Sequence, residues 1–442
     1  MSGIGLRAEP AAERYNRNRV TGLLLGVVVL LVMSPLTGKA QINLQITKEG
    51  GQSLPIAIAP LQGANGAEGS GIGNEFAEVL SRDLDLSGYF RVMSRGGEAG
   101  AGEGVLAEDI NFQNWSDLGA LTLVKGVVSS EGDNLTIEAR LFDVALRRQL
   151  GGKRYRGERR ELRRMAHRFA DEVMLLLTGE RGPFDSRIAF VSTRGGGRAK
   201  ELYVTDLSGR QISALTRDRS LSLGPSWDPS ASMLAYCSYR HGGPYPYLLD
   251  VRTGDQTRLS STVGYSGGRW SPDSSTIAVS LEQDGNSDLF LLTPEGRVVR
   301  RLTEDSGIDV SPTWSPDGRR IAFCSSRRGG PQIYVMDVGS GNIRRLTYQG
   351  DYNTSPAWSP KGDLIAYTTR SGGFRVMVMP VNGGEPRSLG AGEDPSWSPD
   401  GRYVVFSQRG RLMIARRDGN SVKELTRGGG DDTSPAWSPR LE

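Results

Sequence analysis

One stretch of the sequence has the residue types and spacing of a serine nucleophile. Residues 264–268 read Gly-Tyr-Ser-Gly-Gly and fit the Gly-x-Ser-x-Gly pattern of serine hydrolases, with Ser266 as the attacking group. That pattern works from a strand-to-helix turn, and a histidine base follows it along the chain. Here it lies in a loop that leads into a short strand, and the chain's two histidines, His167 and His241, both precede it. We therefore predict no catalytic residue.

Several aspartates recur at one position of a repeated phrase. Asp273, Asp317 and Asp400 each follow a Ser-Pro dipeptide, and Lys361 and Arg440 take the same place in two other copies. Acid–base catalysis needs a carboxylate that is positioned against a substrate. A position that recurs in every turn, and holds lysine or arginine in two of them, is not placed for that role. These aspartates are interpreted as turn residues.

The sequence also lacks the signature of a metal, disulfide or nucleotide site. Cys237 and Cys324 occupy equivalent positions in different repeats, too far apart for the roughly 7 Å that a disulfide spans, so both are expected to be buried free thiols. The glycine-rich loop from Gly63 to Gly73 has Asn74 where a dinucleotide-binding loop needs its third glycine. We predict a flexible loop, and no metal or cofactor.

The elements that would position any site come from a phrase, Ser-Pro-x-Trp-Ser-Pro-Asp-Gly, which returns six times with small changes. Successive tryptophans are 39 to 44 residues apart, the length of one four-stranded propeller blade. Short apolar runs bounded by Gly, Pro, Asp and Asn follow the first five tryptophans and indicate antiparallel strands. The sequence therefore predicts a six-bladed β-propeller over residues 182–442. The tryptophans are Trp227, Trp270, Trp314, Trp358, Trp397 and Trp437.

The two ends of the repeat array complement each other. The first copy, from Ile188 to Thr216, has three apolar runs but no preceding tryptophan phrase, and the last phrase, Ser434 to Pro439, has no strands after it. Joined, they make one complete blade. We expect the C-terminal strand to close the ring, because an unclosed ring would leave two sheet edges unpaired.

Residues 41–181 mix strand and helix patterns and predict an α/β domain. A helix is expected over Asn74–Leu86, and another over Glu158–Leu177, where apolar residues follow three-and-four spacing. The opposite face of the second helix carries Arg159, Arg160, Arg163, Arg164 and Arg168. It is interpreted as a solvated face, with contact to an acidic partner or an anionic polymer as the alternative.

Residues 1–40 have the layout of a secretory signal peptide. Arginines precede an apolar run from Val20 to Met33, and small residues follow, so cleavage is predicted after Ala40. An uncleaved anchor is the alternative, but the run is shorter than the roughly 20 residues that span a bilayer. Without this segment the formal charge falls from +4 to about +1, which gives no indication of nucleic-acid binding.

The remaining candidate site is a binding surface formed by loops of the propeller. The loops just before each tryptophan should meet at one end of the propeller, and they bring tyrosines together with acids and amides, a composition that suits protein recognition. A solvated rim without a partner is the alternative. The candidate residues are Tyr265, Asp309, Val310, Tyr352, Asn353, Thr354, Asp431, Asp432 and Thr433.

In the order of its parts and in its terminal Ser-Pro-Ala-Trp-Ser-Pro phrase, the chain resembles the TolB family of the Gram-negative Tol-Pal envelope system. The resemblance implies a non-enzymatic periplasmic adaptor, without stable membrane insertion, that supports outer-membrane integrity and invagination at cell division. Its propeller would bind the peptidoglycan-associated lipoprotein Pal, with Gly264 and Val310 on that face. Other envelope lipoproteins or peptidoglycan-associated proteins are further partners of this class.

The resemblance also implies that the tail at residues 41–52 binds the inner-membrane protein TolA. Carried over by position, its binding residues are Gln41, Ile42, Asn43, Leu44, Gln45, Ile46 and Thr47. The competing hypothesis is a propeller of the prolyl-oligopeptidase or glycan-binding type, and propellers of the prolyl-oligopeptidase type share the blade phrase. The chain has no histidine placed to serve such a hydrolase.

Overall fold

The computed structural model describes residues 53–64, 70–93, 100, 102–264 and 268–441. The predicted signal segment (1–40), the predicted tail (41–52) and Tyr265 with Ser266 lie outside these residues. Within the described ranges, no helix is long and apolar enough to cross a lipid bilayer.

The N-terminal domain is a mixed sheet with helices packed against it. The sheet order is β3-β1-β4-β5-β6, with β2 beside β4; β3, β1 and β4 are parallel, and β4, β5 and β6 are antiparallel. The strands are β1 (Leu54–Ile58), β2 (Gln62–Gly63), β3 (Phe90–Met93), β4 (Thr122–Glu131), β5 (Asn134–Asp143) and β6 (Arg148–Glu158). The helices are α1 (Ser70–Ser87), α2 (Phe112–Asp117) and α3 (Leu162–Thr178), with 3₁₀ turns at Ala107–Asp109 and Arg159–Glu161.

Helix α3 carries the apolar stripe that its sequence predicts. Met165, Phe169 and Val173 are buried, and the rings of Phe169 and Phe76 on α1 lie 6.2 Å apart. The α-helix begins at Leu162 rather than at residue 158, because a 3₁₀ turn with a capping box precedes it. It ends at Gly179, whose φ of 77° is the left-handed conformation that favours glycine.

The arginine face of α3 is not simply solvated, so that part of the sequence interpretation is wrong. Three of its arginines pair with acids that are distant in the sequence: Arg159 with Glu75 (2.8 Å), Arg163 with Asp206 (3.1 Å) and Arg164 with Asp185 (3.0 Å). Asp206 belongs to the propeller, so this face joins the two domains.

The C-terminal part is a ring of six four-stranded antiparallel sheets, as predicted. Blade 1 contains β10 (Ser222–Trp227), β11 (Met233–Ser238), β12 (Tyr245–Asp250) and β13 (Gln256–Arg258); blade 2 contains β14 (Arg269–Trp270), β15 (Ile277–Gln283), β16 (Asn286–Leu292) and β17 (Val298–Arg301). Blade 3 contains β18 (Asp309–Trp314), β19 (Arg320–Ser325), β20 (Gln332–Asp337) and β21 (Ile343–Arg345); blade 4 contains β22 (Asn353–Trp358), β23 (Leu364–Arg370), β24 (Phe374–Pro380) and β25 (Arg387–Ala391). Blade 5 contains β26 (Glu393–Trp397), β27 (Tyr403–Gln408), β28 (Arg411–Arg416) and β29 (Val422–Glu424).

Blade 6 is assembled from both ends of the array. Its innermost strand is β30 (Thr433–Trp437), which pairs with β7 (Ile188–Ser192), followed outward by β8 (Glu201–Thr205) and β9 (Ile212–Ala214). The innermost strands contact one another around the whole ring, in the order β10, β14, β18, β22, β26, β30 and back to β10. The predicted closure by the C-terminal strand is confirmed.

The repeated phrase has the structural role that its sequence predicts. The indole of Trp227 donates to the Ala436 carbonyl of the preceding blade (3.0 Å), and that of Trp397 donates to the Ala357 carbonyl (2.9 Å), so the tryptophans lie between blades. In the following turn Gly318 has φ 69° and donates to the Ser315 carbonyl at 2.9 Å. Cys237 and Cys324, as expected, are buried free thiols.

One hydrophobic core continues from the N-terminal domain into blades 5 and 6. It includes Phe169 and Phe184 together with Phe190 of β7, Tyr403 of β27 and Trp437 of β30. At its edge His167 of α3 is 4% exposed, with Nδ1 2.7 Å from the Asp83 carboxylate and Nε2 3.4 Å from that of Asp206. A buried histidine between two acids thus links α1, α3 and the propeller.

Candidate partner-binding face of the propeller

Each end of the propeller collects its own set of connections. Because the four strands of a blade alternate in direction, the loops that enter the innermost strands share one end with the hairpins between second and third strands. We call this end the rim. The other end carries the Ser-Pro-Asp-Gly turns and the turns between third and fourth strands, and we call it the turn end.

The N-terminal domain occupies the turn end at blades 5 and 6. Tyr403, just after the turn of blade 5, donates its hydroxyl to the Ser87 carbonyl (2.8 Å). The Arg402 guanidinium, 9% exposed, binds the Glu180 carboxylate, and Asp206, in a turn of blade 6, meets Arg163 and His167. The rim is therefore the end of the propeller that faces away from this domain.

Three of the predicted partner-binding residues are buried and hold the rim together. The Asp309 carboxylate accepts from Arg327 (2.9 Å), and burial raises its pKa while Arg327 partly offsets that effect. The Asn353 amide donates to Gln332 Oε1 (2.9 Å). Asp432 accepts from both Arg194 (Oδ2, 2.5 Å) and Ser192 (Oδ1, 2.6 Å). Asp309 and Asp432 connect the start of an innermost strand to their own blade, Asn353 connects it to the preceding blade, and all three side chains are buried.

Gly264 is also buried, and its position requires a glycine. A Cβ atom at this position would lie 2.6 Å from the Ser280 carbonyl oxygen. The Gly264 carbonyl accepts a hydrogen bond from the Cys237 thiol at 3.4 Å. Its neighbour Tyr265 lies outside the described residues.

The other predicted residues are accessible at the rim. Val310, Tyr352, Thr354 and Thr433 are half-buried, and Asp431 is exposed, with its carboxylate 3.5 Å from Lys200 Nζ.

An aromatic group at blade 4 gives the rim its most distinctive chemistry. The rings of Tyr352 and Phe374 lie 6.2 Å apart, and the Arg370 guanidinium lies 4.8 Å from the Tyr352 ring centroid. Nearby loops of the same end expose Tyr348 (74%) and Ile308 (54%). Sequence reasoning missed Phe374 and Arg370, although the hairpin that carries them faces the same end as the loops before the tryptophans. Tyrosine, arginine and apolar groups together are typical of protein-binding hot spots.

The central channel is lined by residues of the repeated phrase. The prolines and tryptophans of the innermost strands line a cavity of about 380 Å³. Beside the lining residue Pro395, the Asp394 carboxylate accepts from Ser355 (3.0 Å) and Ser434 (2.9 Å). In the described ranges, no three acidic, histidine or cysteine side chains group together as metal ligands.

Family models match both parts of the chain described above. A TolB amino-terminal domain model matches residues 42–150, and a TolB beta propeller domain model matches residues 175–441. The chain belongs to the TolB family. Membership agrees with the resemblance read from the repeats, and the α/β domain followed by a six-bladed propeller is confirmed as the fold.

Named TolB relatives extend this result. The Tol-Pal system protein TolB of Desulfosudis oleivorans is 40% identical over 285 residues, which are 64% of this chain and 65% of that protein. The protein TolB homolog of Chlorobium chlorochromatii is 35% identical over 300 residues, 68% of this chain and 67% of that protein. The match to the first relative therefore spans slightly less than two thirds of its length.

A solved TolB structure has the same architecture. The crystal structure of TolB from Acinetobacter baumannii superposes with a TM-score of 0.77 at 29% identity, covering 88% of this chain and 97% of that one. The arrangement of both domains is thus shared across most of a TolB chain.

Proposed function

We propose that this protein is a non-enzymatic periplasmic adaptor of the Tol-Pal system. Its rim binds the lipoprotein Pal, and its N-terminal tail, residues 41–52, binds TolA. Through these contacts it supports outer-membrane integrity and invagination during cell division. The names of the TolB relatives support the system, and the predicted signal peptide supports the compartment.

The observation that carries the rim assignment is the contrast between the two ends of the propeller. The N-terminal domain covers part of the turn end, whereas the rim presents the cluster formed by Tyr352, Phe374 and Arg370. A protein partner can bury aromatic and arginine side chains there without displacing a domain. Val310 and Thr354 flank this cluster at the starts of β18 and β22.

Calorimetric titration with the purified, lipid-free Pal domain tests the proposal. Replacing both aromatic residues, Tyr352→Ala with Phe374→Ala, should weaken binding at least tenfold, because hot-spot truncations cost about 2 kcal/mol or more. The matched control replaces two exposed apolar residues of an outer strand, Val298→Ala with Val299→Ala, and should leave binding unchanged. Equal affinity in both double variants would overturn the rim assignment.

The tail is tested separately with the soluble C-terminal domain of TolA. Removing residues 41–52 from the mature protein should abolish TolA binding and leave Pal binding intact. Retained TolA binding would overturn the role of the tail. Turnover of a peptide or glycan substrate by the purified protein would contradict the adaptor function as a whole.

A further inference from the structure

A second recognition groove lies on the N-terminal domain, away from the rim. It has a volume of about 310 Å³ and runs between strand β6 and helix α3. On the strand side it is lined by four consecutive residues, Lys153, Arg154, Tyr155 and Arg156. Successive side chains of a strand point to opposite faces of the sheet, so four in a row can border one groove only along the strand's edge.

That edge is open. In the sheet order β3-β1-β4-β5-β6, strand β6 has β5 on one side and, among the strands that the structure describes, no neighbour on the other. Between Arg148 and Gly157, the described backbone makes no hydrogen bond to a segment other than β5. An 11-residue edge strand with free N–H and C=O groups can accept a further strand.

The groove is strongly basic. Six of its ten lining residues are Lys or Arg, and two are acids. The two acids are already engaged: Glu172 lies 3.5 Å from both Lys153 and Arg181, and Glu161 accepts from the Glu158 backbone. Among the cations, Arg154 is 59% exposed and pairs with Glu138 on β5, Arg168 is 56% exposed and lies 3.9 Å from Asp185, and Arg156 is exposed. With Glu138 and Asp185 included, the groove and its ion-pair partners hold six cations and four acids, so the excess charge is still positive, and the exposed Arg156 carries part of it.

We propose that β6 binds an extended acidic segment of another protein by strand addition. The added strand would hydrogen-bond to the β6 edge, and its carboxylates would lie on the face of the sheet that Arg154 and Arg156 share. A second copy of β6 does not fit, because it would bring the same positive charges together. The tail of this chain does not fit either, since residues 41–52 contain one acid, Glu49, next to Lys48.

The test uses the full mature protein and a fluorescein-labelled decapeptide of alternating Glu and Val. Fluorescence anisotropy should detect binding of this peptide and not of the matching Lys-Val peptide. Amide hydrogen exchange should slow along β6 when the Glu-Val peptide is bound. A Glu-Val peptide that is N-methylated at alternate residues keeps its charge but loses backbone donors, so its affinity should fall about tenfold or more.

Two charge-matched double variants complete the design. Arg154→Glu with Arg156→Glu should weaken binding at least tenfold, whereas Arg252→Glu with Arg319→Glu, both on exposed propeller turns, should have little effect. Thermal unfolding of each variant controls for folding. The proposal is overturned if the Glu-Val peptide does not bind, if the N-methylated peptide binds equally well, or if β6 shows no added protection.

Discussion

The two ends of the propeller are built from the same repeated blade and yet are used differently. At the turn end, side chains of blades 5 and 6 meet the N-terminal domain through buried and charged contacts, among them Asp206 with His167 and Tyr403 with Ser87. At the rim, the buried charges remain within the propeller, as in Asp309 with Arg327, and aromatic residues such as Tyr348 and Phe374 are exposed. The repeated phrase determines the backbone of each blade, whereas the residues in the loops between strands determine which end of the propeller the N-terminal domain covers.

This contrast separates two kinds of polar residue that look alike in the sequence. An acid at either end can be a structural contact or a surface group, and burial decides which. Substitutions of the turn-end residues that contact the N-terminal domain should therefore change stability, whereas substitutions at the rim should change stability only where the side chain is buried.

The largest loss of stability is expected from removing β30, the C-terminal strand that closes the ring. Deleting residues 431–442 takes away β30, leaving β7 without its inner partner and breaking the bond from Trp437 Nε1 to Ser186 Oγ (2.8 Å). The variant should lose cooperative unfolding or melt more than about 10 °C lower. Circular dichroism on heating measures this. An unchanged melting temperature would show that closure does not stabilise the ring.

The chain's two histidines lie near opposite ends of the propeller: His167 of α3 contacts Asp206 at the turn end, and His241 lies in a rim hairpin. Substituting His167→Gln at the turn end leaves the fully buried Asp83 without its cation, and should lower the free energy of unfolding by about 3–5 kcal/mol. The matched control is His241→Gln at the rim, an exposed residue hydrogen-bonded to Tyr247, which should change it by less than about 1 kcal/mol. Urea unfolding of both variants is the measurement, and equal losses would remove the distinction between the ends.

Buried acids of the rim should matter more than exposed ones. Asp309→Ala leaves Arg327, 13% exposed, without its carboxylate and should cost about 2–3 kcal/mol of unfolding free energy. By contrast, Asp431→Ala removes a 53% exposed carboxylate whose ion pair with Lys200 is loose, and should change stability by less than about 0.5 kcal/mol. If the two losses were similar in urea titrations, burial would not be what distinguishes these residues.

A smaller effect should appear in the pH dependence of stability. Burial alone lowers the pKa of His167, but the carboxylates of Asp83 and Asp206 outweigh it and raise the pKa to about 10. The ordinary value is about 6.5, so between these pH values the folded state holds a proton that the unfolded state has released. Stability should fall by about 2 kcal/mol from pH 6.5 to 8.5 in the unmodified protein. Burial raises the pKa of Asp83, and this carboxyl would take up a proton once His167 is gone, so the control is the double variant Asp83→Asn with His167→Gln. It should lack this decrease, and an identical slope in both proteins would contradict the assignment to this pair.

Much of the fold could be predicted because the blade phrase repeats its own structural rules. Tryptophan spacing gave the number of blades, and the unmatched first and last copies gave the closure of the ring. Strand β6 could not be predicted in this way, since its sequence is rich in arginine and glycine. An edge strand with one neighbour can carry such residues because most of its side chains are exposed to water.

The candidate site was predicted only in outline. The loops before the tryptophans could be placed at one end, but the burial of Asp309, Asn353 and Asp432 depends on partners that lie elsewhere in the sequence, such as Arg327 and Arg194. The same holds for the arginines of α3, whose acids come from α1 and the propeller. Single-sequence patterns show which residues share a face, and not which charges will meet across a domain boundary.

The construction of blade 6 has a mechanical consequence. Where β30 pairs with β7, the ring is joined by hydrogen bonds instead of by continuous chain. The N-terminal domain straddles this seam, with contacts to Tyr403 on one side and Asp206 on the other. A pulling force on the N-terminal domain would therefore load the ring at its seam, whereas tension applied at blades 2 or 3 would be borne by covalent backbone.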